Sequence, residues 1–277
     1  MPSNKQAREA AQRRLQRQLE RREQLARKRH RNLLAALSVI AVLAVVGAIF
    51  AITSVAGGDD DDAAAAPSTS AAPSSQAPET TAAAPSTNAD GTVACTFTAD
   101  DSGTSAGTPA PNVPGSGTAA LTMATSAGDI GLTLDQAGAP CAAASFVHLA
   151  TTGFFNGTPC HRETSSEGLK VLQCGDPTGT GTGGPGYSFP TQVTGGETYG
   201  RGTLAMANAG AGTDGSQFFL VYADSQLPPS YTVFGTIDEA GLGVLDAIAA
   251  KGNDGSNGPD DGAPTEPVSI TAMTVQQ

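Results

Sequence analysis

Arg162 is one of only two arginines beyond residue 31, in the run Cys160-His161-Arg162 that leads to Val171-Leu172-Gln173-Cys174-Gly175-Asp176. A guanidinium keeps its charge at physiological pH and presents a rigid fork of N–H donors. In a partly dry pocket it favours a lone pair or negative charge that develops during a reaction. The plain structural alternative is an ion pair with Glu163, Glu167 or Asp176. A second stretch, Gly202-Thr203-Leu204-Ala205-Met206-Ala207-Asn208-Ala209-Gly210, precedes Gly215-Ser216-Gln217-Phe218-Phe219. On a strand, alternate side chains face opposite ways, so Gln217 shares a face with Phe219 while Phe218 points to the other. One phenylalanine then suits a core and one a pocket. Asn208, set among small residues, either exposes its backbone to an extended peptide or forms a turn.

Other chemistries lack their partners. Gly103-Thr104-Ser105-Ala106-Gly107 matches the nucleophile-elbow pattern, but its neighbours suggest neither the strand before the serine nor the helix after it. His148 and His161 have no serine and aspartate placed to complete a triad and read as packing or surface residues. The glycine-rich run from Gly175 to Gly186 lacks the Lys-Ser/Thr pair and following helix of a phosphate-binding loop. The four cysteines, Cys95, Cys141, Cys160 and Cys174, contain no C-x-x-C pair, so disulfides are expected rather than a metal site, and no cofactor is called for. Cys160 and Cys174 flank what reads as two strands and their loop. Pairing them leaves Cys95 for Cys141; peptide mapping that gave another connectivity would overturn this.

These groups call for a β-rich scaffold. From Thr118 onward, short alternating apolar runs are punctuated by glycine. Leu121 and Met123 lie on one strand, Ala127-Gly128 forms a turn, and Ile130, Leu132 and Leu134 return. After Pro140, the residues Phe146, Leu149, Ala150 and Phe154 form the stripe of a short helix ending near Gly153. A second short helix is expected after Gly243, with Leu245, Ile248 and Ala249 on one side, and Val268, Ile270 and Val275 mark a last strand.

The net charge of -11 hides two opposed parts: residues 1–31 carry eleven Lys or Arg against three Glu, and the remainder four basic residues against twenty-three acidic. The acidic part would be repelled by phosphates, so no nucleic acid is expected as a ligand. Leu33 to Ala56 is uncharged, about long enough to span a bilayer, with Arg27, Lys28, Arg29 and Arg31 on one side and Asp59 to Asp62 on the other. The expectation is a basic cytoplasmic arm over 1–31 and a single transmembrane helix over 32–56 contacting the lipid bilayer. Everything beyond is then extracytoplasmic; the rival is a signal peptide cleaved after Ser54-Val55-Ala56. Residues 57–117, rich in Ala, Pro, Ser and Thr, read as a flexible linker.

Over about residues 118–277 the chain resembles the cyclophilin family of peptidyl-prolyl isomerases. The resemblance rests on His161-Arg162 upstream of Gln173-Cys174-Gly175-Asp176, on the Leu204–Gly210 and Gly215–Phe219 runs, and on Thr232-Val233-Phe234-Gly235, in the family's order. It implies an all-β fold with two short helices, a closed eight-stranded antiparallel barrel, in a membrane-anchored bacterial member. It further implies a monomeric isomerase acting on proline-containing peptides and on unfolded or folding proteins. Arg162, Gln217 and Phe219 would be catalytic. Val171 and Leu227 would hold the proline ring with Phe219, while Gln173, Ala207, Asn208 and Tyr231 would line the peptide site. The alternative is a non-catalytic peptide-binding or chaperone module of the cell envelope, or an envelope structural protein. Three departures stand out. The segment between Arg162 and Gln173 is longer than the family's, it offers no clear match for a pocket phenylalanine, and Gln226 replaces a tryptophan. The last of these predicts weak cyclosporin binding; tight binding in calorimetry would contradict it.

Overall fold

Two valines and a cysteine decide where the folded body begins. Val93 and Val113 are buried, and Cys95 is bonded to Cys141. They hold β1 (Thr92–Ala94) against β3 (Asn112–Pro114), with Val93 opposite Val113. The computed structural model describes residues 87–103 and 106–276. Residues 87–103 and 106–117, expected as part of a flexible linker, are therefore packed onto the body instead. Few of them are apolar, but a covalent link and two buried valines suffice to order them. The arm over 1–31, the transmembrane helix over 32–56, residues 57–86 of the linker, and Thr104 and Ser105 of the elbow-like run lie outside the described residues. Among the described residues no helix is long and apolar enough to cross a membrane.

Alternation builds the longest hairpin, β4 (Thr118–Thr125) and β5 (Gly128–Asp135). Leu121 faces Leu132 and Met123 faces Ile130, all buried. The turn is Ser126-Ala127, one residue earlier than the spacing suggests, because the Thr125 hydroxyl closes it: it donates to the Gly128 carbonyl at 2.6 Å and accepts from the Ala127 N–H at 3.0 Å. Helix α1 (Pro140–Thr151) starts on a proline whose missing N–H costs nothing there. It drives Phe146 against the rings of Phe155, Phe218 and Phe234, with centroids 4.9, 5.0 and 5.2 Å away. Helix α2 (Glu239–Ala249) begins before Gly243, because the Asp238 carboxylate caps it by accepting from the Gly241 N–H at 2.7 Å. Gly241 also lets this helix approach β5, where a Cβ would come within 2.7 Å of Ile130.

The main sheet has nine antiparallel strands rather than the eight of a closed barrel. Its order is β12 (Asp261–Gly262), β6 (Arg162–Ser166), β7 (Leu169–Cys174), β10 (Phe218–Val221), β9 (Thr203–Met206), β11 (Val233–Ile237), β5, β4 and β13 (Ile270–Val275). It curls around the core, yet its outer strands β12 and β13 do not pair with each other. Irregular chain bridges the gap: Gly157 N–H donates to the Ile270 carbonyl, Ile270 N–H to Thr158, and Cys160 N–H to Val268, at 2.7 to 2.9 Å. Of the short strands, β2 (Thr98–Ala99) pairs with β8 (Tyr187–Ser188). The second disulfide joins Cys160 to Cys174, across the start of β6 and the end of β7.

Candidate active site

Strand register carries the site. Arg162 on β6 lies opposite Gln173 on β7, Gln173 opposite Phe219 on β10, Phe219 opposite Ala205 on β9, and Ala205 opposite Val233 on β11. Directly opposed residues share a face, so this row runs across the outside of the curled sheet while Phe218, Leu220 and Leu172 point into the core. Val171 and Val221 form a second opposed pair on the outer face. With Phe219, Ala205 and Tyr199 they make an apolar cluster separate from the core, and Leu169, Ala207, Leu227, Tyr231 and Val233 pack around its margin. The rings of Phe219 and Tyr231 meet edge to face, with centroids 5.6 Å apart. Tyr199, which no motif singled out, pins this wall: its hydroxyl donates to the Tyr231 carbonyl at 2.9 Å and accepts from the Tyr231 N–H at 3.0 Å.

Beside this apolar pocket runs a chain of polar contacts. The Arg162 Nε and Nη2 donate to the two carboxylate oxygens of Asp261 at 2.8 and 2.6 Å, and Nη1 reaches Gln173 Oε1 at 3.3 Å. Gln173 Nε2 donates to Gln217 Oε1 at 2.9 Å, and Gln217 Nε2 to the carbonyls of Gly181 and Gly183 at 3.1 and 2.9 Å. The partner of Arg162 is thus none of the three acids near it in sequence. Glu163 points the other way and accepts from the Tyr222 hydroxyl at 3.0 Å. Asp176 organises the glycine-rich loop, accepting the N–H groups of Thr178, Thr180 and Gly181 at 2.7, 3.0 and 2.6 Å. The Asn208 Nδ2 donates to Asp214 Oδ1 and to the Ser230 carbonyl, both at 3.1 Å. Burial pushes the Asp214 carboxyl above its ordinary value, against hydrogen bonds from Thr232, Thr191 and Asn208. His161 is half-buried without a hydrogen-bond partner for either ring nitrogen, and burial lowers its pKa. His148 holds the carbonyls of Ala106 and Gly107 through Nε2.

A cavity of about 610 Å³ adjoins the polar chain, with Gln173, Gln217 and Ala207 on its border. Asp100 and Ser102 form part of its wall. They lie on the strap after β2, which is hydrogen-bonded along the glycine-rich loop by Asp100 N–H to the Gly186 carbonyl and Gly184 N–H to the Ser102 carbonyl. Among the described residues no group of acidic, histidine and cysteine side chains is arranged to hold a metal ion.

Two carboxylates beside the site contribute to the acid limit. Hydrogen bonds from Arg162 hold Asp261 below its ordinary value of 3.8. Burial opposes ionisation of Asp176, but hydrogen bonds from Thr178, Gly183 and Gly181 together outweigh it and hold this carboxyl below 3.8 as well. A depressed folded pKa gives stability that is present above the unfolded value and lost as pH falls through the folded one. The thermal midpoint should therefore be level for these groups between about pH 7 and 5 and fall below about pH 4. A midpoint that stayed level down to about pH 2 would contradict this assignment.

The sequence model of the family described as cyclophilin type peptidyl-prolyl cis-trans isomerase/CLD matches residues 120–275. The chain belongs to that family. It is 53% identical over 168 residues to a probable peptidyl-prolyl cis-trans isomerase B of Mycobacterium leprae, covering 56% of each chain. To a peptidyl-prolyl cis-trans isomerase of Helicobacter pylori it is 46% identical over 134 residues, covering 47% of this chain and 80% of that one. The crystal structure of a cyclophilin type peptidyl-prolyl cis-trans isomerase of Cryptosporidium parvum superposes with a TM-score of 0.50 at 28% identity, covering 58% of this chain and 99% of that one. The chain spans about half the length of the Mycobacterium leprae relative and of its Mycobacterium tuberculosis counterpart of the same description.

Proposed function

We propose that the protein is a peptidyl-prolyl cis-trans isomerase that accelerates X-Pro rotation in extracytoplasmic proteins without a covalent intermediate. The observation that carries this reading is the single outer row on which the Arg162 donors stand beside the Phe219 pocket. Rotation about an X-Pro bond meets a barrier of ~20 kcal/mol from amide resonance and takes about 10 to 100 s unaided. As the bond twists, the proline nitrogen becomes pyramidal and regains a lone pair. A donor aimed at that lone pair stabilises the twisted state and not the planar one, which is what lowers the barrier. Arg162 supplies the donor. Phe219, Val171, Leu227 and Tyr231 grip the ring, and Gln173, Gln217 and the backbone around Ala207 hold the flanking peptide.

Family membership supports the reaction. The uncharged Leu33–Ala56 run and the two disulfides favour a membrane-anchored protein whose catalytic body lies outside the cytoplasm, where such bonds persist. An isomerisation assay of the full chain on an X-Pro peptide tests the function. Acceleration over the spontaneous rate is expected; peptide binding without turnover would replace the enzyme by a peptide-binding module. Protease protection of the body in sealed cells tests the topology.

A further inference from the structure

We infer that Asp261 is the positioning residue of this site: its carboxylate sets the plane of the Arg162 guanidinium and thereby decides which N–H groups face the substrate. The inference rests on the isomerase reading. Both carboxylate oxygens are engaged, one by Nε and one by Nη2, and the ion pair is only partly exposed, at 33% and 27% for the two side chains. Bidentate pairing fixes the orientation of a guanidinium as well as its location. With one Nη1 proton directed at Gln173, the outer protons of Nη1 and Nη2 are left to point away from the clamp.

The carboxylate is itself held. β12 pairs with β6, Asp261 opposite Thr164 and Gly262 opposite Glu163, so the acid sits on the strand beside its arginine. The loop that carries β12 is closed from within: Asp254 Oδ1 accepts the N–H groups of Ser256 and Ala263 at 3.0 and 2.9 Å. Gly262 packs so closely that a Cβ would lie 2.2 Å from Asp254 Oδ1. Asn257 Nδ2 donates to Asp261 Oδ1 at 3.2 Å. A long arginine side chain free of this clamp would sample many rotamers, few of them aimed at a twisted amide.

The test uses the full chain. Asp261→Asn should lower kcat/KM on an X-Pro peptide roughly tenfold, mostly in kcat, with KM little changed and the thermal midpoint at neutral pH modestly lower because the ion pair is lost. In an Arg162→Lys background the same substitution should have almost no further effect, because the fork it orients is gone. The Arg162 Nε–H resonance should exchange slowly in the parent, fast in Asp261→Asn and slowly again in Asp261→Glu. Unchanged turnover in Asp261→Asn, an equal loss in both backgrounds, or an unaltered Arg162 Nε–H signal would each overturn the positioning role. A parent chain without turnover overturns the isomerase reading instead, and the resonance still decides the role of Asp261.

Discussion

Arg162→Ala is expected to lower kcat/KM for X-Pro isomerisation by roughly 10²–10³-fold, the range seen when a preorganised donor to a developing charge is removed. The folded state should tolerate the change. The Arg162 side chain is 33% exposed and the abandoned Asp261 27% exposed, so no buried charge is left unpaired. Arg162→Lys should fall between parent and alanine, since an ammonium keeps the charge but loses the planar fork. Affinity for the peptide should change much less than turnover, because Val171, Phe219, Leu227 and Tyr231 still surround the proline ring. A protease-coupled assay on both variants measures this. Alanine turnover within a factor of two of the parent would refute a catalytic role for the guanidinium.

Reduction of the disulfides should have the largest effect on stability. Cys95–Cys141 spans 46 residues and Cys160–Cys174 spans 14. On the chain-entropy model these lengths correspond to about 4 and about 3 kcal/mol. Against a total stability of about 5–15 kcal/mol, losing either is severe. For a body of this size the first should lower the thermal midpoint by roughly 8–16 °C. The two bonds should also differ in what they release. Opening Cys95–Cys141 frees the segment around β1, whereas Cys160–Cys174 lies within two residues of Arg162 and next to Gln173, so its loss should reduce turnover as well. Calorimetry and activity of Cys95→Ser/Cys141→Ser and Cys160→Ser/Cys174→Ser pairs separate the effects. A midpoint unmoved in the first pair would contradict the account.

Alternation and helical stripes made much of the body legible. The β4–β5 hairpin and α1 announce themselves through Leu121, Met123, Ile130 and Phe146, because one-sided burial writes its period into the chain. What local pattern could not convey is closure. The sheet's gap is bridged at 157–160 and 268–270 by backbone hydrogen bonds, which leave no periodic trace. Composition misjudged residues 87–103 and 106–117 because it weighs averages, while order there depends on Val93, Val113 and one covalent link. In the site, Arg162, Gln173, Gln217 and Phe219 are indicated by the resemblance of their motifs to the family. Asp261 is not: several acids lie nearer in sequence, and only the pairing of an edge strand brings this one to Arg162. Tyr199 was hidden for the same reason, since its role depends on meeting Tyr231 across a loop.

The strap that carries Asp100 and Ser102 lies ahead of residue 120, where the family match begins, while the row from Arg162 to Val233 lies wholly inside it. The proposed chemistry and most of the cavity lining thus fall within the matched stretch, and one part of the cavity wall falls outside it. A change to the strap would alter one wall of the recess beside Gln217 without touching a residue of that row. On the proposed function, such a change would shift which peptides fit while leaving the mechanism alone.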